Sequence, residues 1–185
     1  MQTNHIAVLV RNIEVVSQTL PSSCKRHALE KHPEEGTLEQ YITVGDEAAP
    51  ALLLIQAIAS GPYKRALAKR GAGLHHIGCV CSNIEEEIAS GGAKRLLLHP
   101  ISLETRKKGT VWLCRPGIPF FIELTQNPAQ DAIPHKEALV QLPETISIPD
   151  YARVLSTNLE MKTTPGSSLV IEVGGIKLSI DPNAS

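Results

Sequence analysis

Residues 74–87 read LHHIGCVCSNIEEE, a stretch that predicts a buried strand running directly into a capped helix. Asn83 suits the N-cap position, and the three glutamates that follow nearby suit the first helical turn, where the helix dipole favours negative charge. The stretch has a counterpart, because NHIAVLVRNIE at 4–14 aligns with HHIGCVCSNIE at 75–85 without a gap. The chain therefore contains an internal repeat, and the repeat decides the fold.

The first copy of the repeat predicts a β-α-β-β-β unit. Apolar side chains alternate along its opening strand, and a helix begins at Asn12 and stops at Pro21. Residues 22–36 are polar and predict a solvent-exposed loop. Three of the four strands of the unit are assigned in this copy, at 5–10, 37–44 and 51–58.

The second copy predicts the same unit after a connecting helix that begins at Pro62 and ends at Gly71. Its own helix is expected to end at the glycine pair 91–92. The last strands of the two copies also correspond, because LLLIQ at 52–56 aligns with IELTQ at 122–126, an offset of 70 residues against 71 for the first strands. The remaining strands are expected near 94–99, 110–114 and 119–125.

The C-terminal tail predicts a partial third unit that lacks the histidine. DYARVLSTNLEM at 150–161 predicts a helix, and SSLVIEVGGIKLSI at 167–180 predicts a hairpin that turns at Gly174-Gly175. Its sheet edge needs cover, so we expect it to pack against the second unit or to pair with another copy in a homodimer. The fold class is therefore α+β, with paired β-α-β-β-β modules at 1–70 and 71–130 and a C-terminal extension at 131–185.

Composition narrows the class of protein. The chain is 42% hydrophobic but only 3% aromatic, and its formal net charge is −1. This balance implies no general attraction to nucleic acid or to a membrane surface, and no apolar run approaches the roughly 18 residues of a membrane span. The N-terminus does not resemble a signal peptide, and the four cysteines are too scattered for a disulfide framework. Both features predict a reduced, cytoplasmic setting.

Two histidines and a glutamate form the candidate site. His5 and His76 are equivalent positions at the start of the two copies, and Glu123 lies within the apolar segment FFIELT. A carboxylate in such a segment is costly unless it is paired or bound to metal. Two imidazoles and one carboxylate suit a divalent cation such as iron, cobalt, nickel, manganese or zinc. The alternative is that all three are hydrogen-bonded core side chains.

The repeat also shows where a fourth ligand is missing. The first-copy equivalent of Glu123 is Leu53, which cannot bind a metal ion. Gln56 lies nearby, but three positions along a strand place it on the opposite face unless a bulge intervenes. The sequence therefore predicts three protein ligands at most.

The repeated motifs resemble those of a known family. HIAVLV at 5–10, GAGLHHIG at 71–78 and FIELTQ at 121–126 resemble the vicinal oxygen chelate superfamily. PYKRALAKRGAGLHHI at 62–77 is most similar to methylmalonyl-CoA epimerases, and the resemblance covers roughly residues 4–127. In such epimerases a bound metal holds two carbonyl oxygens of an acyl-CoA and stabilises the enolate that forms when the α-proton leaves.

The resemblance also implies roles for individual residues. The four ligand positions of the family fall on His5, Leu53, His76 and Glu123. PEEGTLEQ at 33–40 resembles the stretch that carries a proton-transferring glutamate, and Glu39 is the matching position. Glu123 and Glu39 are thus the expected catalytic residues of a metal-dependent, epimerase-like isomerase or a glyoxalase-type lyase, with a small molecule, possibly an acyl-CoA, as substrate.

Two other functions stay open within the same superfamily. Extradiol dioxygenases hold iron(II) with two histidines and one glutamate, a set that the same three residues would match. Other members bind small molecules without catalysis. Metal content would separate the binding proteins from the enzymes, and oxygen consumption would separate the dioxygenase from the epimerase.

Overall fold

A computed structural model describes residues 1–45, 48–94, 96–128, 136–146, 158–166 and 168–185. Within these residues the chain forms one eight-stranded sheet, a separate four-stranded sheet and a few helices. The α+β fold class predicted from the repeat is confirmed. None of the helices in these residues is long and apolar enough to cross a membrane.

The eight-stranded sheet contains the strands of both repeat copies. Its strands are β1 (Gln2–Val10), β2 (Lys25–His32), β3 (Thr37–Thr43), β4 (Ala51–Ala57), β5 (Gly73–Cys81), β6 (Leu97–Leu98), β7 (Thr110–Cys114) and β8 (Phe121–Gln126). The helices beside it are α1 (Ile13–Thr19), α2 (Pro62–Arg70), α3 (Ile84–Lys94) and α4 (Ser102–Thr105), with a 3₁₀ turn at Arg106–Lys108.

The strand order shows the duplication directly. It runs β2-β3-β4-β1-β5-β8-β7-β6, so each half has the same internal order and the halves meet at β1 and β5. β1 and β5 pair antiparallel, while the last strand of each copy lies parallel to the first strand of that copy. A pseudo-two-fold axis therefore passes between β1 and β5, which brings the start of both copies to the centre of the sheet.

The capping of the module helices follows the repeat as well. Asn12 accepts hydrogen bonds from the backbone amides of Glu14 and Val15 at the start of α1. Asn83 does the same for Glu85 and Glu86 at the start of α3, as predicted. Such a cap contributes about 1 kcal/mol to helix stability. The two asparagines therefore fix where each helix leaves the sheet.

Two predictions in the module region were wrong. The loop expected at 22–36 contains β2, an edge strand that pairs with β3 and is exposed along nearly its whole length. With no buried face it has no alternating pattern to detect. α3 does not end at residues 91–92 but continues to Lys94, because a helical glycine costs only about 0.5–1 kcal/mol and Ile84 and Ile88 pack into the core. The strand expected at 94–99 is accordingly reduced to β6.

The tail forms the four-stranded sheet. Its order is β10-β9-β11-β12, with β9 parallel to β10 and antiparallel to β11. This order differs from that of the modules. In each module the first strand lies at one end of its four strands, whereas β9, the first strand of the tail, lies inside the small sheet. The strands are β9 (Ala138–Pro143), β10 (Leu159–Thr164), β11 (Leu169–Val173) and β12 (Ile176–Ile180).

The two tail elements predicted from the sequence have different outcomes. The hairpin between β11 and β12 is confirmed, with Gly174 and Gly175 both at positive φ, as the turn requires. The helix expected at 150–161 is wrong at its end, because residues 159–161 belong to β10. Residues 150–157 of that prediction lie outside the described part of the chain.

The small sheet packs on one face of the large sheet and shares its core. Val140, Met161 and Ile171 are fully buried in the same cluster as the inner residues of β1 and β5. The Asn158 side chain accepts a hydrogen bond from the Thr3 amide at 2.7 Å and donates one to the Thr3 carbonyl. These hydrogen bonds join the tail to the first copy. The buried cluster that the tail shares also contains Ile77 and Ile122 of the second copy, against which the tail was expected to pack. The homodimer and the module boundaries stay predictions.

Candidate metal centre

The three predicted ligands lie together at the centre of the large sheet. His5 on β1 pairs with Gly78 on β5, and His76 on β5 pairs with Ala7 on β1. Glu123 on β8 lies directly beside Gly78. Residues that are paired across neighbouring strands project to the same face of a sheet. The repeat therefore brings all three side chains to one point on the face opposite the small sheet.

The distances between the ligand atoms fit a single cation. The two Nε2 atoms of His5 and His76 are 3.1 Å apart. Oε2 of Glu123 lies 3.5 Å from Nε2 of His5 and 3.7 Å from Nε2 of His76. Ligand atoms held at about 2.1 Å from one metal ion are roughly 3.0–3.4 Å apart. Among the described residues, this is the cluster of histidine, cysteine and carboxylate groups that is compact enough to hold a metal ion.

Burial sets the charges in the metal-free site. It lowers the pKa of His5 to about 4 and the pKa of His76 well below its ordinary value. It also raises the pKa of Glu123 to about 7, with a further increase from the charges of Glu35 and Glu39. The contacts between Glu123 and the imidazoles are therefore not ion pairs at neutral pH, since both rings are neutral. Neutral imidazoles are the form that binds metal ions.

The strand register confirms that Leu53 is the counterpart of Glu123. Leu53 lies beside Ala7 on the parallel neighbour of β1, as Glu123 lies beside Gly78 on the parallel neighbour of β5. It is 3% exposed and packs in a small apolar cluster with Leu9 and Tyr63. The fourth ligand position of the site is thus occupied by a hydrocarbon side chain.

Gln56 does not replace the missing ligand. No bulge interrupts the pairing of β4 with β1, so Gln56 projects away from the site. Its Oε1 accepts a hydrogen bond from the Ile13 amide at 2.9 Å. Gln126, its counterpart in the second copy, bonds the Ile84 amide in the same way. Both glutamines therefore support helix starts.

Two aromatic residues flank the histidines and were not identified from the sequence. Tyr41 lies edge-on to His5 at a centroid distance of 5.9 Å, and Trp112 lies edge-on to His76 at 5.0 Å. Tyr41 pairs with Leu53, and Trp112 pairs with Glu123. The two aromatics are 71 residues apart, which is the repeat offset. That spacing is the signal that would have found them.

Glu39 lies on the same face of the sheet but further from the centre. It is two residues from Tyr41 on β3, so both side chains project to the face that carries the ligands. The Thr37 hydroxyl donates a hydrogen bond to it at 2.8 Å. Burial raises the pKa of Glu39, although this hydrogen bond and the nearby His32 oppose the rise. Its charge also raises the pKa of Glu123, so the two carboxyls lie within electrostatic range.

Gly78 provides the space for the His5 ring. A Cβ at position 78 would lie 1.9 Å from Cε1 of His5. We expect Gly78→Ala to displace the imidazole and to lower zinc affinity by more than tenfold, because a ligand displaced by 1 Å or more cannot complete the site. Ala7→Gly, at the equivalent position of the first copy, is the matched control. Isothermal titration should show near wild-type affinity for the control, and equal affinities for both variants would contradict this role.

Comparison with known proteins identifies the fold. No protein-family model matches the sequence, and no curated protein matches it. Solved structures do match. A hypothetical protein of Bacillus halodurans has a TM-score of 0.53 at 22% identity, over 68% of this chain and 94% of that chain.

Methylmalonyl-CoA epimerases are among the other matching structures. A variant of the Streptomyces coelicolor enzyme in complex with 2-nitronate-propionyl-CoA gives a TM-score of 0.51 at 18% identity, over 69% of this chain and 97% of that chain. The Mycobacterium tuberculosis epimerase gives 0.51 at 16% identity, over 71% and 91%. Identities this low support a statement about the fold alone. The chain has the paired-module vicinal oxygen chelate fold that these epimerases share.

Proposed function

We propose that the protein is a metal-dependent isomerase that moves a proton next to a chelated carbonyl group of an acyl-CoA or a similar small molecule. The observation that supports this most is the triangle of His5, His76 and Glu123. It lies at the pseudo-two-fold axis, with spacings that suit one divalent cation. The fold is that of methylmalonyl-CoA epimerases, one of which has been solved with methylmalonyl-CoA bound.

The donor set is consistent with a resident divalent cation. Both imidazoles are neutral and present Nε2 to the same point, and Glu123 is the most exposed of the three side chains at 23%. When bound, such a cation acts as a Lewis acid that stabilises negative charge on carbonyl oxygens. His5, His76 and Glu123 would hold it, while the Leu53 position offers no ligand. Coordination positions would therefore remain for substrate oxygens.

Glu39 is the proposed general base. A base works best when its pKa lies near the working pH, and burial moves the pKa of Glu39 upward in that direction. The hydrogen bond from Thr37 fixes one carboxylate oxygen. The other oxygen can then accept the α-proton of a substrate that is bound above the three ligands.

Mutation of Glu39 should slow the proposed reaction without changing metal binding. We expect Glu39→Gln to leave zinc affinity unchanged and to slow deuterium exchange at the α-carbon of methylmalonyl-CoA by roughly 10²–10⁴-fold. Glu30→Gln is the matched control, because Glu30 pairs with Glu39 across β2 and β3 but is exposed. Exchange can be followed by NMR in deuterated buffer. Equal rates in the two variants would exclude Glu39 as the base.

The affinity for metal should depend on pH through Glu123. Because the pKa of Glu123 is about 7, a proton must leave the carboxyl before it binds a cation below that pH. Burial lowers the pKa of both histidines, to about 4 for His5, so their rings have no proton to lose in this range. Zinc affinity should therefore rise by up to tenfold per pH unit as pH increases to 7 and then level off. Titrations at several pH values test this, and Glu123→Gln should remove the slope. A wild-type affinity that is flat from pH 5.5 to 7 would contradict it.

The iron(II) dioxygenase is the second candidate, and one observation favours it. Two histidines and one carboxylate, with no fourth protein ligand in the part of the chain that the structure describes, match the facial triad of non-haem iron oxygenases. Oxygen consumption by the iron(II)-loaded protein with a catechol would support this function. Metal uptake with α-proton exchange and no oxygen consumption would support the isomerase. A protein that takes up no divalent metal would leave the non-catalytic binding function.

A further inference from the structure

Each ligand histidine follows the extra residue of a β-bulge. In the pairing of β1 with β5, Thr3 opposes Cys79 and His5 opposes Gly78, so Asn4 is the extra residue on β1. Ala7 opposes His76 and Val8 opposes Leu74, so His75 is the extra residue on β5. Asn4 and His75 are 71 residues apart, which is the repeat offset. The bulge is therefore a duplicated feature of the two copies.

The bulges bring each extra side chain to the histidine that follows it. Adjacent residues of a regular strand project to opposite faces, and a bulge removes that alternation. Oδ1 of Asn4 lies 2.5 Å from Nδ1 of His5. Nδ1 of His75 lies 2.9 Å from Nδ1 of His76. In both copies, the residue before the ligand histidine therefore contacts Nδ1 of that histidine, while Nε2 faces the site.

These contacts determine the tautomers of the metal-free protein. A neutral imidazole has one donor and one acceptor nitrogen, so in a row of neutral rings each contact fixes the roles in the next one. Oδ1 of Asn4 only accepts, so His5 carries its proton on Nδ1 and its Nε2 is an acceptor. His76 must then donate from Nε2 to His5, which leaves Nδ1 of His76 as an acceptor. His75 therefore carries its proton on Nδ1.

Metal binding requires the ligand histidine to change its tautomer in the second copy only. A cation held by the two Nε2 atoms needs both of them unprotonated. His5 already meets this condition. His76 must lose the proton on Nε2 and carry one on Nδ1 instead, which then points at Nδ1 of His75. Two protons cannot share that contact, so His75 must accept there and carry its own proton on Nε2.

We propose that Asn4 and His75 are equivalent positioning residues, and that His75 and His76 exchange tautomers together when Nε2 of His76 binds a cation. This inference rests on the proposed metal site. The Nδ1 proton of His75 passes to Nδ1 of His76, the Nε2 proton of His76 leaves to solvent, and Nε2 of His75 takes one up. Neither ring changes its charge. Asn4 needs no such exchange, because its amide oxygen accepts in both states.

The surroundings of His75 allow the exchange. A cavity of about 70 Å³ is lined by His75, with Arg70, Leu74 and Pro119 among its other lining residues. This volume is large enough for a water molecule that can deliver a proton. The pair therefore presents an accepting Nδ1 to His76 in the metal-bound form without adding charge to the site.

The direct test is long-range ¹H–¹⁵N NMR on the full chain with labelled histidine, without metal and with zinc. Protonated and unprotonated ring nitrogens have well-separated ¹⁵N shifts. Without metal we expect protons on Nδ1 of His5, Nε2 of His76 and Nδ1 of His75. With zinc, His76 and His75 should both show the reverse, and His5 should be unchanged. A His75 that keeps its Nδ1 proton in the zinc-bound protein overturns the proposal.

Variants provide a second measurement. His75→Leu should weaken zinc binding by roughly 10–100-fold, as loss of a partner to a ligand histidine does, and His75→Asn should restore most of that loss because its amide oxygen can accept from Nδ1. Asn4→Leu should weaken binding in the same way. His27→Leu, at an exposed histidine on β2, is the control and should bind as the wild type.

The outcomes separate this proposal from the proposed function. Unchanged affinity in His75→Leu would overturn the positioning role, and thermal unfolding of the metal-free variants shows whether a loss of affinity reflects loss of structure. If His75→Leu does not fold, the NMR result on the wild type decides alone. No zinc uptake by the wild type overturns the metal site and this inference together. Zinc uptake with an unchanged His75 tautomer overturns only the inference.

Discussion

Replacing His76 by alanine should abolish stable zinc binding and, with it, α-proton exchange. His76 is 2% exposed and provides one of three ligand atoms, so its loss leaves one imidazole and one carboxylate. Even a change in a ligand's hydrogen-bond partner lowers metal affinity by 10–100-fold. Removal of the ligand should therefore lower it by more than about 100-fold. Metal analysis of the purified protein and isothermal titration measure the effect.

The control for this variant must show that the fold survives. His27→Ala removes an exposed histidine from β2 and should bind zinc as the wild type does. Metal-free His76→Ala should melt within a few degrees of the metal-free wild type. When zinc is added, only the wild type should become more stable, because a ligand stabilises the folded protein that binds it. Full zinc occupancy in folded His76→Ala would rule out the His-His-Glu site. Occupancy without exchange in the wild type would rule out the epimerase function but not the site.

Much of the fold and the ligand set followed from the repeat. The gapless match of the two first strands predicted that His5 and His76 are equivalent, and the offset of the last strands predicted that Glu123 and Leu53 are equivalent. These predictions were possible because duplicated units keep their register. The asparagine caps and the Gly174-Gly175 turn were predictable for a local reason, since each depends on a few adjacent residues.

The features that the sequence did not reveal depend on non-local pairing. β2 is stabilised by β3 alone and exposes nearly all of its side chains, so it lacks a hydrophobic pattern. The pairing of β10 with β9 joins distant segments in parallel, which no turn signal can indicate. His75 was not identified because regular alternation places it opposite His76, and only the bulge brings the two rings together.

The second large effect should come from Leu53→Glu. Position 53 has the same relation to Ala7 as Glu123 has to Gly78, so a carboxylate there would be the symmetric partner of Glu123. Without metal, we expect the variant to be less stable by roughly 2–4 kcal/mol, because Leu53 is buried against Leu9 and Tyr63 and a carboxyl there is desolvated. With zinc, the new carboxylate should complete a four-ligand site.

Leu53→Glu should therefore lower the stability of the metal-free protein and raise its affinity for zinc. Calorimetry should show a lower melting temperature for metal-free Leu53→Glu than for the wild type. Titration should show that the variant binds zinc at least tenfold more tightly. The reason is that the energetic cost of burying the new carboxylate is offset only when the carboxylate binds the cation. Leu53→Gln, similar in size but uncharged, should lose similar stability and gain less affinity than Leu53→Glu, because an amide oxygen is a weaker ligand than a carboxylate. If Leu53→Glu folds and binds zinc no more tightly than the wild type, position 53 does not reach the cation. The protein ligand set would then be limited to His5, His76 and Glu123, and the other coordination positions would be left to substrate oxygens.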